Sequence, residues 1–128
     1  MNMSKTHIWM GINNNENYEE YFELDYNLDI DIDSPEYKIC GFCKDINERF
    51  YDEDFIGVYQ YDELESIDFF LDEASLSGKE LEKAKEICYE KGFKEVNAMF
   101  YYMDSSIVVS DKSKLYNGLA YIGQFEID

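Results

Sequence analysis

The sequence predicts an α+β fold, in which a mixed, largely antiparallel sheet packs with about four helices in a single domain spanning residues 1–128. The length of 128 residues suits one hydrophobic core. Apolar residues make up 45% of the chain and aromatic residues 17%, which is typical of a folded protein rather than a disordered acidic chain. Strand-like patterns lie at the start and in the last third, and helix-like patterns lie between them.

The first element is predicted to be a strand, because "THIWMGIN" (6–13) is short and apolar on both faces, as in the centre of a sheet. Asn14 or Asn15 can then cap a helix. The apolar face of that helix recurs at three- and four-residue steps and consists of Tyr18, Tyr21, Phe22 and Tyr26.

The segment "LDIDID" (28–33) alternates strictly between apolar and acidic side chains, which predicts an edge strand or an ordered loop. Ser34 and Pro35 are typical of a helix N-cap and first helical residue, and this helix is expected to run to about Asp45. The acidic face of the alternating segment consists of Asp29, Asp31 and Asp33.

Two further helices are predicted in the middle of the chain. Asp62 followed by Glu65 is a capping arrangement, and Ser77 followed by Glu80 repeats it. Gly92 is expected to close the second of these helices. The buried faces are expected to be Leu64, Ile67, Phe70 and Leu71 in the first helix, and Leu81, Ala84, Ile87 and Cys88 in the second.

The last third is rich in β-branched and aromatic residues, and it predicts a three-strand meander of "EVNAMFYYM", "SIVVS" and "LAYIGQFEI". Asn117 and Gly118 suit the tight turn before the last strand. The segment from Val96 to Met103 is apolar on both faces and is therefore placed in the interior of the sheet.

The charge is strongly negative: 11 basic side chains oppose 29 acidic ones, giving a net charge of −18. Such a field repels nucleic acid and anionic membranes and attracts a basic partner. Arg49 and the scattered lysines form no basic patch, so direct nucleic-acid binding is not expected. The alternative interpretation is that the acidity serves solubility alone.

The sequence has no long apolar run and no basic-then-apolar leader, so we expect neither a membrane span nor a secretory signal. A cytoplasmic location follows as an expectation. The three cysteines are then expected to be reduced thiols rather than a disulfide framework.

The segment "KICGFCKDI" (38–46) places Cys40 and Cys43 three positions apart. A thioredoxin-type site needs its first cysteine at a helix N-terminus, whereas a helix beginning at Pro35 would contain both thiols in its interior. Zinc would require these two together with Cys88 and His7, the whole set of strong ligands. We therefore predict structural thiols, with no metal and no cofactor.

The two acidic segments also lack the signatures of a catalytic or calcium site. A calcium loop starting at Asp29 would have Ser34 at its glycine position and Cys40 at its glutamate position. In "YDEDF" (51–55) three carboxylates stand between two aromatic residues, but the single histidine, His7, lies in a predicted strand, so no catalytic residues are assigned. The segment suits docking onto lysine and arginine, or is an ordinary acidic loop. The expected partner contacts are Tyr51, Asp52, Glu53, Asp54 and Phe55, with Asp29, Asp31 and Asp33 as further contacts.

Six separated pieces also share an order and spacing with a known family. They are "HIWMG", "YFE", "FCKD", "YDEDF", "VNAMFYY" and "YIGQFE", and they extend from His7 to Glu126. In this order the chain resembles the bacterial immunity protein 22 family, whose members are found beside polymorphic toxins. Phe42 and the residues after it match the pattern, whereas Cys40 does not.

The resemblance implies a non-enzymatic cytoplasmic protein that binds a cognate toxin domain one to one and so protects the producing cell. Combined with the charge, it predicts a basic toxin, expected to be a nuclease, that is neutralised through an acidic surface. Two alternatives stay open. One is a small thiol oxidoreductase using Cys40 and Cys43, and the other is an acidic DNA mimic that inhibits a host nucleic-acid-binding protein.

Overall fold

A five-stranded antiparallel sheet forms the centre of the protein. The computed structural model describes residues 5–76, 78–104 and 106–127. The strands are β1 (Lys5–Gly11), β2 (Ile56–Ser66), β3 (Glu95–Tyr102), β4 (Leu115–Tyr116) and β5 (Leu119–Glu126), in the spatial order β2-β3-β1-β5-β4.

Three α-helices and two short 3-10 helices complete the described part of the chain. The α-helices are α1 (Gly41–Asp45), α2 (Ile67–Glu73) and α3 (Gly78–Glu90). The 3-10 helices span Tyr18–Phe22 and Glu53–Phe55. The α+β class and the antiparallel sheet are therefore confirmed, whereas three α-helices stand where about four were expected.

The central position of β1 confirms its prediction as a buried strand. It pairs with β3 on one side and with β5 on the other, so that His7 lies opposite both Tyr102 and Gln124. Ile8, Trp9 and Met10 are fully buried. The pairing with β5 shifts register between Ile8 and Trp9, which marks a β-bulge.

Each face of the sheet buries its own core. On one face the indole of Trp9 stacks on Phe100 at 4.6 Å between ring centroids, and the edge of Phe42 meets it at 5.6 Å. Offset-stacked and edge-to-face pairs of this kind add to the hydrophobic effect of burying the rings. The loops and the Tyr18–Phe22 helix cover this aromatic face, and α2 and α3 cover the opposite face with Phe70 and Ala84 among its buried residues.

The helix predicted from Asp62 is wrong at its start, because that segment belongs to β2 along the edge of the sheet. Leu64 is about half exposed there. The helical stripe begins only at Ile67, and the hydroxyl oxygen of Ser66 caps α2 by accepting a hydrogen bond from the amide of Phe69 at 3.3 Å. The charged face of an exposed edge strand resembles the polar face of a helix in sequence.

The C-terminal strands do not form a meander, because β1 lies between β3 and β5. The described residues of "SIVVS", 106–110, are outside the strands, and β4 occupies Leu115–Tyr116 instead. The turn at Asn117 and Gly118 is confirmed, with positive φ angles of 53° and 79°. The predicted cap at Ser77 lies outside the described residues.

The predicted helix from Pro35 is also wrong. Ser34 forms a turn instead, since its side chain accepts from the amide of Glu36 at 3.2 Å and its carbonyl accepts from Tyr37 at 3.1 Å. The helix begins at Gly41, and Cys40 is its N-cap. Residues 28–33 form a turn-rich loop rather than a strand.

Candidate functional site

A groove runs beside the segment "YDEDF", between the Tyr18–Phe22 helix and the start of β2. Its volume is about 270 Å³. Its apolar surface comes from four partly or fully buried side chains, and three carboxylates and an exposed tyrosine stand around it. We call it the glutamate groove, and it is lined by Phe22, Tyr51, Ile56, Val58, Glu19, Glu23, Tyr26 and Glu53.

Buried aromatic residues fix one side of the glutamate groove. Tyr18 is buried, and its hydroxyl donates to the carbonyl of Met99 at 3.3 Å. The side chain of Asn117 donates to the carbonyl of Tyr18 at 2.9 Å. With this side of the Tyr18–Phe22 helix anchored on the sheet, Glu19 and Glu23 are left exposed to solvent.

A hydrogen bond links the two sides of the groove. The Tyr26 hydroxyl donates to Oε2 of Glu53 at 2.7 Å, and this bond raises the pKa of Tyr26. The side chain of Tyr26 remains 64% exposed. An exposed aromatic ring therefore stands directly beside a carboxylate, a pairing suited to a cationic side chain.

Within "YDEDF" the side chains divide into supporting and exposed ones. Tyr51 is only 3% exposed, and its hydroxyl donates to the carbonyl of Phe22. The Asp52 carboxylate accepts from the amide of Asp54 at 3.0 Å and so caps the Glu53–Phe55 helix. Glu53 and Asp54 are exposed. The buried Tyr51 ring fixes the segment and does not present a free apolar anchor.

A second, smaller depression lies on the other side of Tyr51, with a volume of about 220 Å³. Phe50 stands at its rim and is 51% exposed. The lining again combines carboxylates with apolar surface. We call it the Phe50 pocket, and it is lined by Glu48, Phe50, Tyr51, Asp52, Tyr102, Asp104, Ser106 and Ile107.

The loop of Asp29, Asp31 and Asp33 reaches this region through one arginine. Nε of Arg49 donates to the carbonyl of Ile32 at 2.6 Å, and its Nη2 donates to a second carbonyl in the loop at 2.9 Å. All three aspartates are exposed. Among the described residues no hydrogen bond or ion pair joins their carboxylates to "YDEDF". The two acidic segments are therefore connected through Arg49 and not by direct contacts between their carboxylates.

The positions of Cys40 and Cys43 in their helix differ from the sequence expectation, which placed both thiols in the helix interior. Cys40 is the N-cap of α1, and its Sγ accepts from the amide of Cys43 at 3.4 Å. The thiol of Cys43 and the amides of this first turn lower the pKa of Cys40. However, Cys40 is only 7% exposed and Cys43 is fully buried, so a substrate disulfide cannot reach either sulfur in this conformation.

The described ranges offer neither a metal site nor a membrane-spanning helix. No cluster of three or more histidine, cysteine, aspartate or glutamate residues there has the geometry to hold a metal ion. In the same ranges, each helix is too short or too polar to cross a membrane.

Of the residues that line the groove and the pocket, sequence reasoning named only Tyr51, Asp52 and Glu53 as contacts. Those that it missed include Glu19, Glu23, Phe50 and Asp104. The signal for the first two was present, because they lie one helical turn apart beside the recognised aromatic face. No local pattern marks Phe50 or Asp104, since tertiary packing alone brings them to the Phe50 pocket.

Comparison with known proteins gives one match. The sequence profile of the family described as Immunity protein 22 matches residues 6–128, which is nearly the entire chain. This confirms the resemblance seen in the six sequence pieces. No curated protein and no solved structure matches the chain.

Proposed function

The chain belongs to the Immunity protein 22 family, and we propose that it binds a cognate toxin domain in the cytoplasm of the producing cell and neutralises it. Membership of this family supports a toxin-immunity role and favours an inhibitor without catalysis. The proposal adds that the toxin presents lysine and arginine side chains, and that they enter the glutamate groove.

The observation that carries the proposal is the composition of the glutamate groove. Three carboxylates, those of Glu19, Glu23 and Glu53, surround an apolar floor that includes Ile56 and Val58. A lysine or arginine side chain has the complementary character, with an alkyl stem that packs on apolar surface and a charged head that pairs with carboxylates.

The net charge of −18 favours a partner whose surface is strongly basic. Nucleases have such surfaces, because their clefts must bind phosphate groups. We therefore propose a nuclease toxin whose substrate cleft is occupied by this protein. Electrostatic attraction would speed the encounter of the two proteins and make its rate fall as salt rises.

The proposed contacts extend from the groove along the exposed part of "YDEDF". Glu53 and Asp54 supply charge, and the half-buried Phe55 supplies apolar surface. Asp52 and Tyr51 act by holding this segment in place. At the edge of the surface, Asp29, Asp31 and Asp33 add longer-range attraction.

The test needs the cognate toxin domain, which is to be sought among the genes next to the one that encodes this protein. A triple variant, Glu19→Lys, Glu23→Lys and Glu53→Lys, reverses the charge of the groove. We expect at least a tenfold slower association with the toxin and loss of the normal decrease of rate with salt. Rapid mixing at several salt concentrations measures both quantities, and cell survival on co-expression reports protection.

The matched control reverses three exposed glutamates on α3, namely Glu82, Glu86 and Glu90. It changes the net charge by the same amount but leaves the groove intact, so it should retain most of the association rate. If the control slows association as much as the groove variant does, net charge and not the groove governs binding. If neither variant affects association or survival, the proposed interface is wrong.

A further inference from the structure

One cavity of the described structure has the opposite electrostatic character from the glutamate groove. It has a volume of about 580 Å³ and lies beside β5, between the end of α3 and residues 107–112. Its lining includes Lys91, Lys112 and His7 but contains no aspartate or glutamate. In a chain where acidic residues outnumber basic ones by 29 to 11, such a lining points to a site for an anion.

The position of the cavity follows from the sheet topology. β4 pairs only with Leu119 and Ala120, so β5 continues beyond this hairpin without a neighbour on that side within the described residues. The β-bulge opposite Ile8 and Trp9 lies in the same part of β5, next to Ile122 and Gly123 of the cavity lining. Such irregularities are common beside binding sites.

His7 gives the cavity an unpaired polar group. Its residue is only 2% exposed, and Nδ1 lies 2.7 Å from the hydroxyl of Tyr121. Its Nε2 has no hydrogen-bond partner among the described residues. The carbonyls of Asp104 and Ile107 influence the ring, but neither meets the geometry of a hydrogen bond to Nε2.

The protonation of His7 makes Nε2 a donor. Burial lowers the pKa of His7 to about 4, so the ring is neutral at pH 7 and carries one N–H. The Tyr121 hydroxyl has one proton, and in the described residues its partner is Nδ1. We therefore assign the hydrogen to Nε2. A buried N–H without an acceptor is unfavourable. Nε2 has almost no accessible surface in this structure, so an oxygen anion in the cavity would satisfy it after a small movement of the ring that brings Nε2 to the cavity surface.

The two lysines supply charge around this donor. Neither Lys91 nor Lys112 has an ion-pair partner in the described residues. The charge of Lys112 acts on the ring of His7, and the negative charge of Asp104 acts on it more strongly in the opposite direction. The Asp104 carboxylate does not line the cavity, and its Oδ1 accepts hydrogen bonds from the amide and the hydroxyl of Ser106.

The cavity surface is more polar than apolar, but its walls include the aliphatic side chains of Ile87, Ile107, Val109 and Ile122. We propose that this cavity is a binding site for a small carboxylate with an aliphatic body, whose oxygen accepts from Nε2 of His7 while Lys91 and Lys112 neutralise its charge. The cavity volume is within the usual range for sites that bind small organic ligands. This site is separate from the proposed toxin-binding surface and does not depend on it.

The test follows the only histidine of the chain by NMR, because its ring signals are free of overlap with other histidines. Hexanoate is titrated into the full-length protein at pH 7, and hexanol and hexylamine are titrated in parallel. We expect hexanoate to shift the His7 ring signals in a saturable manner. Hexanol and hexylamine should produce no saturable shift, because they lack the anionic oxygens.

The double variant Lys91→Gln and Lys112→Gln should weaken hexanoate binding about tenfold or more, and both positions are exposed. The matched control, Lys79→Gln with Lys83→Gln, removes the same charge from α3 outside the cavity and should bind like the wild type. The absence of a saturable shift with hexanoate overturns the proposal, and so does an equal response to hexanol. Equal weakening in the two double variants also overturns it, since net charge would then explain the binding.

Discussion

Asn97 provides a quantitative test of how the glutamate groove is held in place. This residue of β3 is 1% exposed, and its side chain connects β3 to the turn after β1 and to β2. Its Oδ1 accepts from the amide of Asn13 at 2.8 Å. The two hydrogens of its Nδ2 are shared among three acceptors: the carbonyl of Asn13 at 3.0 Å, Oδ1 of Asn14 at 2.7 Å and the carbonyl of Tyr61 at 3.1 Å. The turn it fixes leads directly into the Tyr18–Phe22 helix.

The Asn97→Ala substitution removes this whole network. Each internal hydrogen bond stabilises a protein by about 0.5–1.5 kcal/mol net, and buried partners left unpaired add to the loss. We expect the free energy of unfolding to fall by about 3 kcal/mol and the melting temperature to fall by about 10 °C. Urea denaturation followed by far-UV circular dichroism measures the first quantity, and a thermal scan measures the second.

Gln60→Ala is the matched comparison, because Gln60 also donates to the carbonyl of Asn13, at 2.8 Å, but from a half-exposed position on β2. Water can replace its contacts, so the loss should be about 1 kcal/mol or less. If Asn97→Ala destabilises the protein no more than Gln60→Ala does, the buried network does not hold the turn and this reasoning is refuted.

Four further outcomes are expected. Phe100→Ala should lower the free energy of unfolding by about 3–5 kcal/mol in urea denaturation, because the ring is fully buried against Trp9, and a loss below about 1 kcal/mol would contradict this packing. Asn117→Val should cost about 2–3 kcal/mol in the same assay, since a β-branched residue opposes the positive φ of 53° and the hydrogen bond to the carbonyl of Tyr18 is lost, and an unchanged midpoint would count against the turn. Burial lowers the pKa of His7 from 6.5 to about 4 in the folded state, so between these pH values the unfolded chain binds more protons and the free energy of unfolding decreases as the pH is lowered. His7→Gln should remove up to about 3 kcal/mol of this pH dependence. Parallel pH profiles of the variant and the wild type would refute this reasoning. The buried thiols should react with a disulfide reagent only in denaturant, and rapid reaction of Cys40 in the native protein would instead favour redox chemistry.

The parts of the fold that could be predicted are those where one local signal dominates. Segment 6–13 is apolar on both faces, which only a central strand satisfies, and β1 lies at the centre of the sheet. The turn at Asn117 and Gly118 was predictable because few residues accept positive φ angles. The buried face of α3 was predictable because Ala84 and Cys88 are four residues apart on one face.

The parts that failed are those where tertiary contacts decide between two local possibilities. Asp62, Glu63 and Glu65 are charged, as suits a strand at the edge of the sheet, yet Asp62 and Glu65 also match a helix capping arrangement. Ser34 and Pro35 match a helix start, but Arg49 holds the preceding loop by its carbonyl groups. The glutamate groove depends on the meeting of segments 19–26 and 51–58, which no local pattern encodes.

The central place of β1 also has a consequence for biosynthesis. Its two neighbours in the sheet are β3 and β5, so Trp9 lies opposite Phe100 and Tyr121, more than ninety positions further along the chain. Contacts of such large sequence separation are slow to form, because a long loop must close first. During translation β1 has no hydrogen-bonding partner until β3 has left the ribosome, and the sheet is completed only with β5. The nascent chain therefore reaches its folded form late, and truncation before Leu119 should abolish folding.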